Sequence, residues 1–446
     1  MTQQYKYLHF IDYILFQRWD VKAYAFQQKV FKNAVLLREI LTPYNVPLSK
    51  EKMIDKGWSI IAKINFAGEL FLRAPENTKT FKGNVHEIDG ETLIYSKINV
   101  RHGCVYYHPK DSIPFGVSSE YPAYKIDNKR VNGDFLVLLL QSQYFKNALS
   151  AGTSGISKAR VKPNVFLDIQ IPLPSLAEQN KIVAAYDATI AQAKQYSTQA
   201  KDIDKQIEKY LQEILGLGIQ LKTKSKTSYS FLRLYKFSET RNRWDLNKVR
   251  NSYKGNYEFV CLSDVASKMS TGTTPPTRNK EYFNGDIDFY TPADIGRNMY
   301  LGDAERYISQ IAIRDNKARC FYKGDLLFVG IGSTVGKVGL VNKEMVSSNQ
   351  QITGITFNTQ KILPEYAFIY MHYFKENTTA NQSKTTLPIV NQEKIAKIPL
   401  PLPPLTIQNK IVEHITALRS TQKNLQQKSL TLRQQATEQF EQIIFE

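Results

Sequence analysis

The stretch Ile171-Pro-Leu-Pro-Ser-Leu-Ala-Glu-Gln-Asn-Lys-Ile-Val183 decides the organisation of this chain, because it occurs twice. Its second copy is Leu400-Pro-Leu-Pro-Pro-Leu-Thr-Ile-Gln-Asn-Lys-Ile-Val412, 229 positions later, and 9 of the 13 positions are identical. Val117-Ser-Ser119 and Val346-Ser-Ser348 repeat at the same separation. Self-similarity over such a distance predicts a tandem duplication of two halves, each a globular region followed by a helix.

A long helix is predicted after each copy of the repeat. In the first copy, Ser175 and Glu178 have the spacing of a capping box, in which the hydroxyl and the carboxylate bond free amides of the first helical turn. Apolar residues at three- and four-residue spacing then continue to the stop signal Gly216-Leu-Gly218. The pattern predicts helices over 176–215 and 405–445, each about 60 Å long at about 1.5 Å per residue.

Helices of this length with one apolar seam each need a partner. We expect them to pair with each other as an antiparallel coiled coil about a pseudo-twofold axis, leaving a globular region at each end. The seam of the second helix is expected to run from Ile411 to Ile443. The alternative is that each helix packs on its own domain as an ordinary surface helix.

The remaining segments, about 1–170 and 225–398, read as mixed modules rich in short strands. Leu93-Ile-Tyr-Ser96 and Leu326-Leu-Phe-Val329 are candidates for buried strands. The expected fold class is α+β (mixed), with two α/β domains separated by two long antiparallel helices. The expected boundaries are 1–172 for the first domain, 173–218 for the first helix, 219–398 for the second domain and 399–446 for the second helix.

The composition indicates a polyanionic partner. Lys and Arg number 59 against 41 Asp and Glu, a formal net charge of +18, which attracts nucleic acid; a basic protein that is merely soluble is the alternative. Cys104, Cys261 and Cys320 are too scattered for a disulfide framework. The longest apolar run, 135–140, is too short to cross a bilayer, which takes about 20 residues. We therefore expect a cytoplasmic protein with no membrane partner.

The motifs that suggest catalysis each fail a requirement. Gly330-Ile-Gly-Ser-Thr-Val-Gly-Lys337 is similar to a phosphate-binding loop, but a glycine is needed where Ile331 stands, and Val338 replaces the hydroxyl residue that would hold magnesium. His102, Cys104 and His108 have no fourth ligand at zinc-site spacing. No Asn- or Asp-Pro-Pro-aromatic signature of a base methyltransferase is present. The chain is expected to bind rather than to catalyse, with no catalytic residue, metal or cofactor of its own.

Basic and polar loops are the candidates for DNA contacts. Between Lys222 and Lys254 ten Lys or Arg residues alternate with aromatic residues and could follow phosphates, although a solvated linker has the same composition. Other loops carry side chains of the kind that contact base edges. The candidate DNA-binding residues are Lys97, Asn99, Arg101, Ser157, Lys158, Arg160, Lys222, Lys224, Lys226, Thr273, Thr274, Thr277, Arg278, Asn279, Ser333, Thr334, Lys337 and Lys384.

Several of these stretches together resemble one protein family. Both copies of Pro-Leu-Pro-x-Leu-x-x-Gln-Asn-Lys-Ile-Val, with Gly272-Thr-Thr-Pro-Pro-Thr277, Tyr282-Phe-Asn-Gly-Asp-Ile287, Tyr290-Thr-Pro-Ala-Asp-Ile295 and Gly324-Asp-Leu-Leu-Phe328, are similar to the specificity subunits of type I restriction–modification systems. The similarity covers essentially the whole chain. The first half departs from it, because it has no Gly-Thr-Pro-Pro-Thr-like stretch, and Lys97-Ile-Asn-Val-Arg101 stands where the second half has its glycine-rich turn.

The resemblance implies a division of labour among subunits. Each globular region would be a target-recognition domain that reads one half of a split site in double-stranded DNA, and the helices would form a spacer that docks two modification (methyltransferase) subunits. S-adenosylmethionine would belong to those partners, and ATP and magnesium to restriction subunits, if these are present. The residues assigned to the spacer helices and to docking are Gln179, Ile182, Val183, Ile190, Gln408, Ile411, Leu418 and Leu425.

Two other functions stay open at this point. A specificity subunit of a type IIB-like enzyme would have nearly the same sequence features. A helical scaffold that uses its basic surface for RNA or for an acidic partner would share the charge and the helices.

Overall fold

A computed structural model describes residues 31, 33–73, 81, 83–151, 160–217, 255–296, 298–379 and 388–445. The chain divides into two compact units, one formed by Met1–Ser197 with Gln427–Glu446 and the other by Thr198–Gln426. Each unit therefore combines one globular region with a part of each long helix.

The first unit is built from short strands and short helices. Its strands are β1 (Ala34–Leu36), β2 (Leu41–Tyr44), β3 (Val46–Pro47), β4 (Ile61–Ile64), β5 (Leu70–Leu72), β6 (His86–Ile88), β7 (Thr92–Tyr95), β8 (Val105–His108), β9 (Phe115–Val117), β10 (Ala123–Ile126) and β11 (Gln170–Pro172). Its short helices are α1 (Lys50–Asp55), α2 (Gly133–Gln141), α3 (Gln143–Ala151) and α4 (Pro163–Leu167). The main sheet has the order β2-β10-β7-β8 with antiparallel neighbours.

The second unit repeats this plan with different lengths. Its strands are β12 (Phe259–Cys261), β13 (Ala266–Thr271), β14 (Ile287–Tyr290), β15 (Tyr307–Ile308), β16 (Cys320–Tyr322), β17 (Leu326–Val329), β18 (Val338–Leu340), β19 (Met345–Ser348), β20 (Ile352–Phe357) and β21 (Pro399–Pro401). Its short helices are α6 (Leu262–Val265), α7 (Gln310–Arg314), α8 (Pro364–Tyr373), α9 (Lys375–Thr378) and α10 (Gln392–Ala396). One sheet has the order β13-β20-β17-β18, and a second has the order β15-β14-β19-β16.

The duplication read from the sequence is confirmed by strand pairing. The sheets β2-β10-β7-β8 and β13-β20-β17-β18 place corresponding strands in the same order. The antiparallel pair of β1 with β11 returns as the pair of β12 with β21. The predicted buried strand at 326–329 is β17, and the one predicted at 93–96 is β7 shifted by one residue. These are the third strands of the two sheets, and every residue in both is buried. Strands covered on both faces require continuous apolar runs, which is why the sequence identified them.

The two long helices begin and end where the sequence predicts. They are α5 (Leu176–Leu215) and α11 (Leu405–Phe445). The capping box is present: the Ser175 N–H donates to the Glu178 carboxylate at 2.9 Å, and the Glu178 N–H donates to the Ser175 hydroxyl at 3.4 Å. Gly216 follows α5 with φ of 64°, the left-handed conformation that ends helices and favours glycine.

The helices pair antiparallel within each unit. In the first unit the Ser429 hydroxyl donates to the Ala193 carbonyl at 2.7 Å, and in the second the Gln422 amide donates to the Ala200 carbonyl at 2.9 Å. The seam therefore contains two buried polar side chains that the apolar pattern did not predict, and such residues fix the register of a helix pair. The prediction for Ile443 is wrong, because 62% of that residue is exposed.

Each helix segment also contributes to the core of its unit. Val183 of α5 and Phe440 of α11 join the first core, and Ile207 and Ile411 join the second, together with Phe328 of β17. Each fully buried aliphatic or aromatic side chain stabilises a fold by about 1.5–3 kcal/mol. The helices therefore pair with each other and also pack on the globular regions, so the two predicted alternatives both occur.

Candidate nucleic-acid interface

The glycine-rich turn at the end of β17 is the centre of the candidate interface in the second unit. Residues 330–337 lead from β17 into β18 and not into a helix, as a phosphate-binding loop would. The Gly330 N–H donates to the Gln351 carbonyl, and the Val390 N–H donates to the Gly330 carbonyl, both at 2.8 Å. Gly336 has φ of 84°, which favours glycine. The turn is thus fixed from two neighbouring segments.

Three predicted DNA-binding residues lie in this turn. Ser333 is exposed, whereas Thr334 and Lys337 are half-buried. The Lys337 side chain lies along Gly296, where an added Cβ would approach its Cδ to 3.0 Å. Lys375 lies against the same turn, where a Cβ added on Gly336 would approach its Cε to 3.0 Å, and burial and the charge of Lys337 lower its pKa. Two neighbouring cations produce the positive potential that attracts a phosphate backbone.

Thr273 and Thr274 lie against the segment that also bonds the glycine-rich turn. The Thr273 N–H donates to the Ser348 carbonyl at 3.0 Å, and the Thr274 hydroxyl donates to the Gln350 amide oxygen. A Cβ on Gly272 would lie 2.2 Å from the Ser348 hydroxyl oxygen, so only glycine permits this approach. The structure therefore brings the two threonines and the turn together around residues 348–351.

The amide residues at the centre of this arrangement were not predicted from the sequence. Asn349, Gln350 and Gln351 connect β19 to β20; Gln350 is exposed and its two neighbours are half-buried. A signal was available, since three consecutive amide side chains followed the repeated Val-Ser-Ser motif. Asn and Gln are side chains that pair with adenine in the major groove.

Thr277, Arg278 and Asn279 belong to another feature of the second unit. Thr277 and Arg278 are exposed and Asn279 is half-buried. Thr277 lines an open cleft of about 570 Å³. The other lining residues, two of them cationic and two aromatic, are Lys280, Phe283, Asn284, Gly285, Glu305, Arg306 and Tyr307. A cleft that combines cationic and aromatic side chains suits the backbone or a base of a nucleic acid.

The first unit has a corresponding turn between β7 and β8. The Val161 N–H donates to the Lys97 carbonyl at 2.8 Å, which repeats the bond from Val390 to Gly330. The correspondence noted in the sequence between 97–101 and the glycine-rich turn is therefore confirmed. Asn99 and Arg101 are half-buried in this turn.

Arg160 lies beside the same turn and is not a free cation. Its guanidinium Nε is 3.2 Å from a carboxylate oxygen of Glu120, and the Glu120 carbonyl accepts a bond from the Lys97 N–H at 3.1 Å. An exposed ion pair of this type contributes about 0–1 kcal/mol, so a phosphate could displace the carboxylate. Lys97 and Arg160, two of the predicted DNA-binding residues, therefore lie close together beside this turn.

The remaining candidates lie outside the described residues. They are Ser157, Lys158, Lys222, Lys224, Lys226 and Lys384, and with them the basic segment 222–254.

Four of the helix residues assigned to docking are buried inside the chain. Gln179 and Gln408 are fully buried, as are Ile411 and, nearly, Val183. Such side chains cannot contact a partner, so their assignment to docking is corrected: they attach the helices to the globular regions. The other four are only partly buried, and they are Ile182, Ile190, Leu418 and Leu425.

Gln179 and Gln408 make the same three bonds in the two units. Gln408 accepts from the Leu363 N–H at 2.8 Å and donates to the carbonyls of Lys361 and Pro403 at 3.0 and 2.8 Å. Gln179 accepts from the Asn132 N–H at 2.8 Å and donates to two carbonyls at 2.8 and 2.9 Å. Each glutamine therefore joins the start of a long helix to the loop before a helix of the globular region.

We also looked for metal-binding, reactive-thiol and membrane-spanning features among the described residues. No group of three or more His, Cys, Asp and Glu side chains in the described ranges could hold a metal ion. Cys104 is buried, and burial raises the pKa of its thiol to about 11, so it is not a reactive thiolate. Within the same ranges no helix has the length and apolarity to cross a membrane.

Comparison with known proteins identifies relatives of this chain. Residues 254–434 match the family described as type I restriction modification DNA specificity domain. The MjaIX specificity subunit of Methanocaldococcus jannaschii is 27% identical over 175 residues, 38% of this chain and 36% of the relative. The EcoDI specificity subunit of Escherichia coli is 21% identical over 304 residues, 66% of this chain and 64% of the relative. These alignments span less than two thirds of either relative.

The fold has a counterpart among solved structures. A chain from a structure titled for complex assembly and conformational transition of the type I restriction–modification system superposes with a TM-score of 0.59 at 17% identity, over 92% of this chain and 96% of that one. This similarity supports the mixed fold class predicted from the sequence. The resemblance inferred from the repeated motifs is thereby confirmed: the chain is similar to type I restriction–modification specificity subunits, and residues 254–434 match the family model of the DNA specificity domain.

Proposed function

We propose that this chain is the non-catalytic DNA-specificity subunit of a type I restriction–modification complex. Each globular region would bind one half of a bipartite site in double-stranded DNA. The observation that carries the proposal is the repeated plan of the units: the same sheet order ends at the same hairpin turn, and polar or cationic side chains surround that turn in both. Two similar DNA-binding regions in one chain would match a DNA site that has two separate halves.

The differences between the two turns support different half-site sequences. The first unit offers Lys97 and the ion pair of Arg160 with Glu120, whereas the second offers Thr274, Gln350 and Lys337. Base contacts specify a sequence and phosphate contacts position the protein. Different side chains around a shared framework would therefore read different bases with one docking geometry.

Partner subunits would supply the chemistry. Two modification (methyltransferase) subunits would dock on exposed parts of the long helices and would bring S-adenosylmethionine. Restriction subunits, where they accompany the complex, would bring ATP and magnesium. This chain would have no cofactor of its own and would act in the cytoplasm.

Methylome sequencing of the host with and without the gene tests the proposal. Loss of methylation at one bipartite motif on deletion, and its return on complementation, is the expected result. Purified chain alone should have no methyltransferase, nuclease or ATPase activity, and adding its cognate modification subunits should produce methylation. An unchanged methylome, in a host that expresses the chain, would remove the basis of the proposal.

Exchange of one globular region tests whether the two halves read independently. Replacing 225–398 with the equivalent region of a relative should change one half of the methylated site and leave the other half as it was. A change in both halves would contradict independent reading.

Two other functions have distinct signatures. A subunit of a type IIB-like enzyme would be encoded beside a fused nuclease and methyltransferase, which inspection of neighbouring open reading frames would reveal. A basic scaffold for RNA or an acidic partner would prefer RNA or heparin over duplex DNA in a competition assay at fixed salt.

A further inference from the structure

Hydrogen bonds fix the backbone of the three amide residues between β19 and β20. The Asn349 N–H donates to the Tyr290 carbonyl at 3.1 Å, and the Gln351 carbonyl accepts from the Gly330 N–H at 2.8 Å. The Asn349 side chain accepts from the Gln351 N–H at 3.1 Å and donates to the Gln351 side chain at 3.0 Å. Both flanks of Gln350 are therefore fixed to neighbouring strands.

Gln350 is the exposed member of this group, and its amide has a defined orientation. Its Oε1 accepts the hydroxyl hydrogen of Thr274, which leaves the second lone pair on that oxygen and the two amino hydrogens for other partners. The backbone beside Thr274 is held, because Gly272 lies close to Ser348 and the Thr273 N–H donates to the Ser348 carbonyl at 3.0 Å. A rigid side chain loses little entropy when it binds a ligand.

The chemistry of this amide matches one DNA base. Adenine presents an acceptor at N7 and a donor at N6 in the major groove, and a glutamine amide can bond both at once. In that pairing Oε1 accepts from N6 and Nε2 donates to N7. The lone pair and the amino group that Thr274 leaves open on Gln350 are the two groups required.

The internal repeat supplies an independent observation. Val117-Ser-Ser119 and Val346-Ser-Ser348 are identical, and the next three residues are Glu120-Tyr-Pro122 in the first copy and Asn349-Gln-Gln351 in the second. Both segments also bond the end of a central strand, because the Pro122 carbonyl accepts from the Tyr95 N–H of β7 and the Gln351 carbonyl accepts from the Gly330 N–H just after β17. The framework is thus kept while the side chains change, as expected where two domains read different bases.

We propose that Gln350 reads an adenine edge in the half-site bound by the second globular region, and that Thr274 is the positioning residue that orients its amide. This inference rests on the proposed function. It assigns one specificity-determining side chain to one base, and it predicts that the first half-site is read by different chemistry at the equivalent position, Tyr121.

The test uses the full chain assembled with its cognate modification subunits. Methylation rates are measured on duplexes that carry each of the four base pairs, in turn, at every position of the half-site assigned to 225–398. The wild type should require adenine at one position. Gln350→Ala should lower that preference about tenfold or more, while preferences at the other positions and in the other half-site stay unchanged.

A second variant changes the preference instead of removing it. Gln350→Glu should favour cytosine at the same position, because a carboxylate accepts from the cytosine N4 amino group. Thr274→Val should weaken the adenine preference at that position through loss of the orienting bond. Gln360→Ala, which removes an exposed glutamine of the same unit outside this segment, is the matched control and should behave as the wild type.

The outcomes separate the inference from the proposed function. Full adenine preference in both Gln350→Ala and Gln350→Glu, or a half-site without an adenine requirement, would overturn the inference alone. Absence of any site-specific methylation by the wild-type complex would overturn the proposed function and this inference with it. The unchanged first half-site reports that each variant chain has folded and assembled.

Discussion

Gln408 is the residue for which the structure gives the sharpest energetic prediction. It is fully buried, and Gln408→Ala removes the partners of one N–H and two carbonyls. An unsatisfied buried polar group costs about 1–3 kcal/mol. With partial relaxation of the surroundings, we expect the second unit to lose about 2–4 kcal/mol, a large part of the about 5–15 kcal/mol that stabilises a typical domain.

Urea unfolding with hydrogen exchange read by mass spectrometry measures this loss unit by unit. Gln408→Ala should increase exchange in 361–373 and leave the corresponding segment 130–141 protected. Gln179→Ala should do the reverse, because it makes the equivalent bonds in the first unit. Gln426→Ala on the exposed face of α11 is the control and should change stability by no more than about 0.5 kcal/mol. If Gln408→Ala costs no more than this control, the assignment of Gln408 as a structural attachment is wrong.

Three further predictions concern the helices, the basic segment and pH. Inserting four residues both after Ser197 and after Gln426 lengthens each helix by about 6 Å. Under the proposed function, this double insertion should widen the gap between half-sites by one or two base pairs in the methylome. Insertion after Ser197 alone should lower methylation, because Ala193 and Ala200 move apart while their partners Ser429 and Gln422 keep their spacing. Replacing Lys222, Lys224 and Lys226 with Gln should weaken binding to all duplexes alike and reduce the salt dependence measured by titration. Burial and the nearby Arg419 lower the pKa of His372 in the folded chain. The unfolded chain, in which a His pKa is about 6.5, therefore takes up the proton first as pH falls. The second unit should lose stability below about pH 6.5. His372→Gln should flatten that pH dependence in urea unfolding, and an unchanged slope would contradict it.

Features that depend on neighbouring residues or on repetition could be predicted from the sequence. The capping box of Ser175 with Glu178, the stop at Gly216 and the bounds of α5 follow from hydrogen bonds and apolar spacing within one or two helical turns. The duplication could be recognised because both copies kept the same motif. β17 and most of β7 could be recognised because strands buried on both faces are largely apolar.

Only the folded structure distinguishes the polar residues that attach one element to another from those that are exposed and can bind a partner. Gln179 and Gln408 look like surface positions on a helix, yet their bonds reach residues about 45 positions away. Gln422 and Ser429 can lie in the helix seam only because a carbonyl of the facing helix accepts a hydrogen bond from each of them. Gln350 becomes a candidate reader of DNA only when Thr274, 76 residues earlier, orients its amide. The burial of a polar side chain depends on partners distant in sequence, and local spacing contains no information about them.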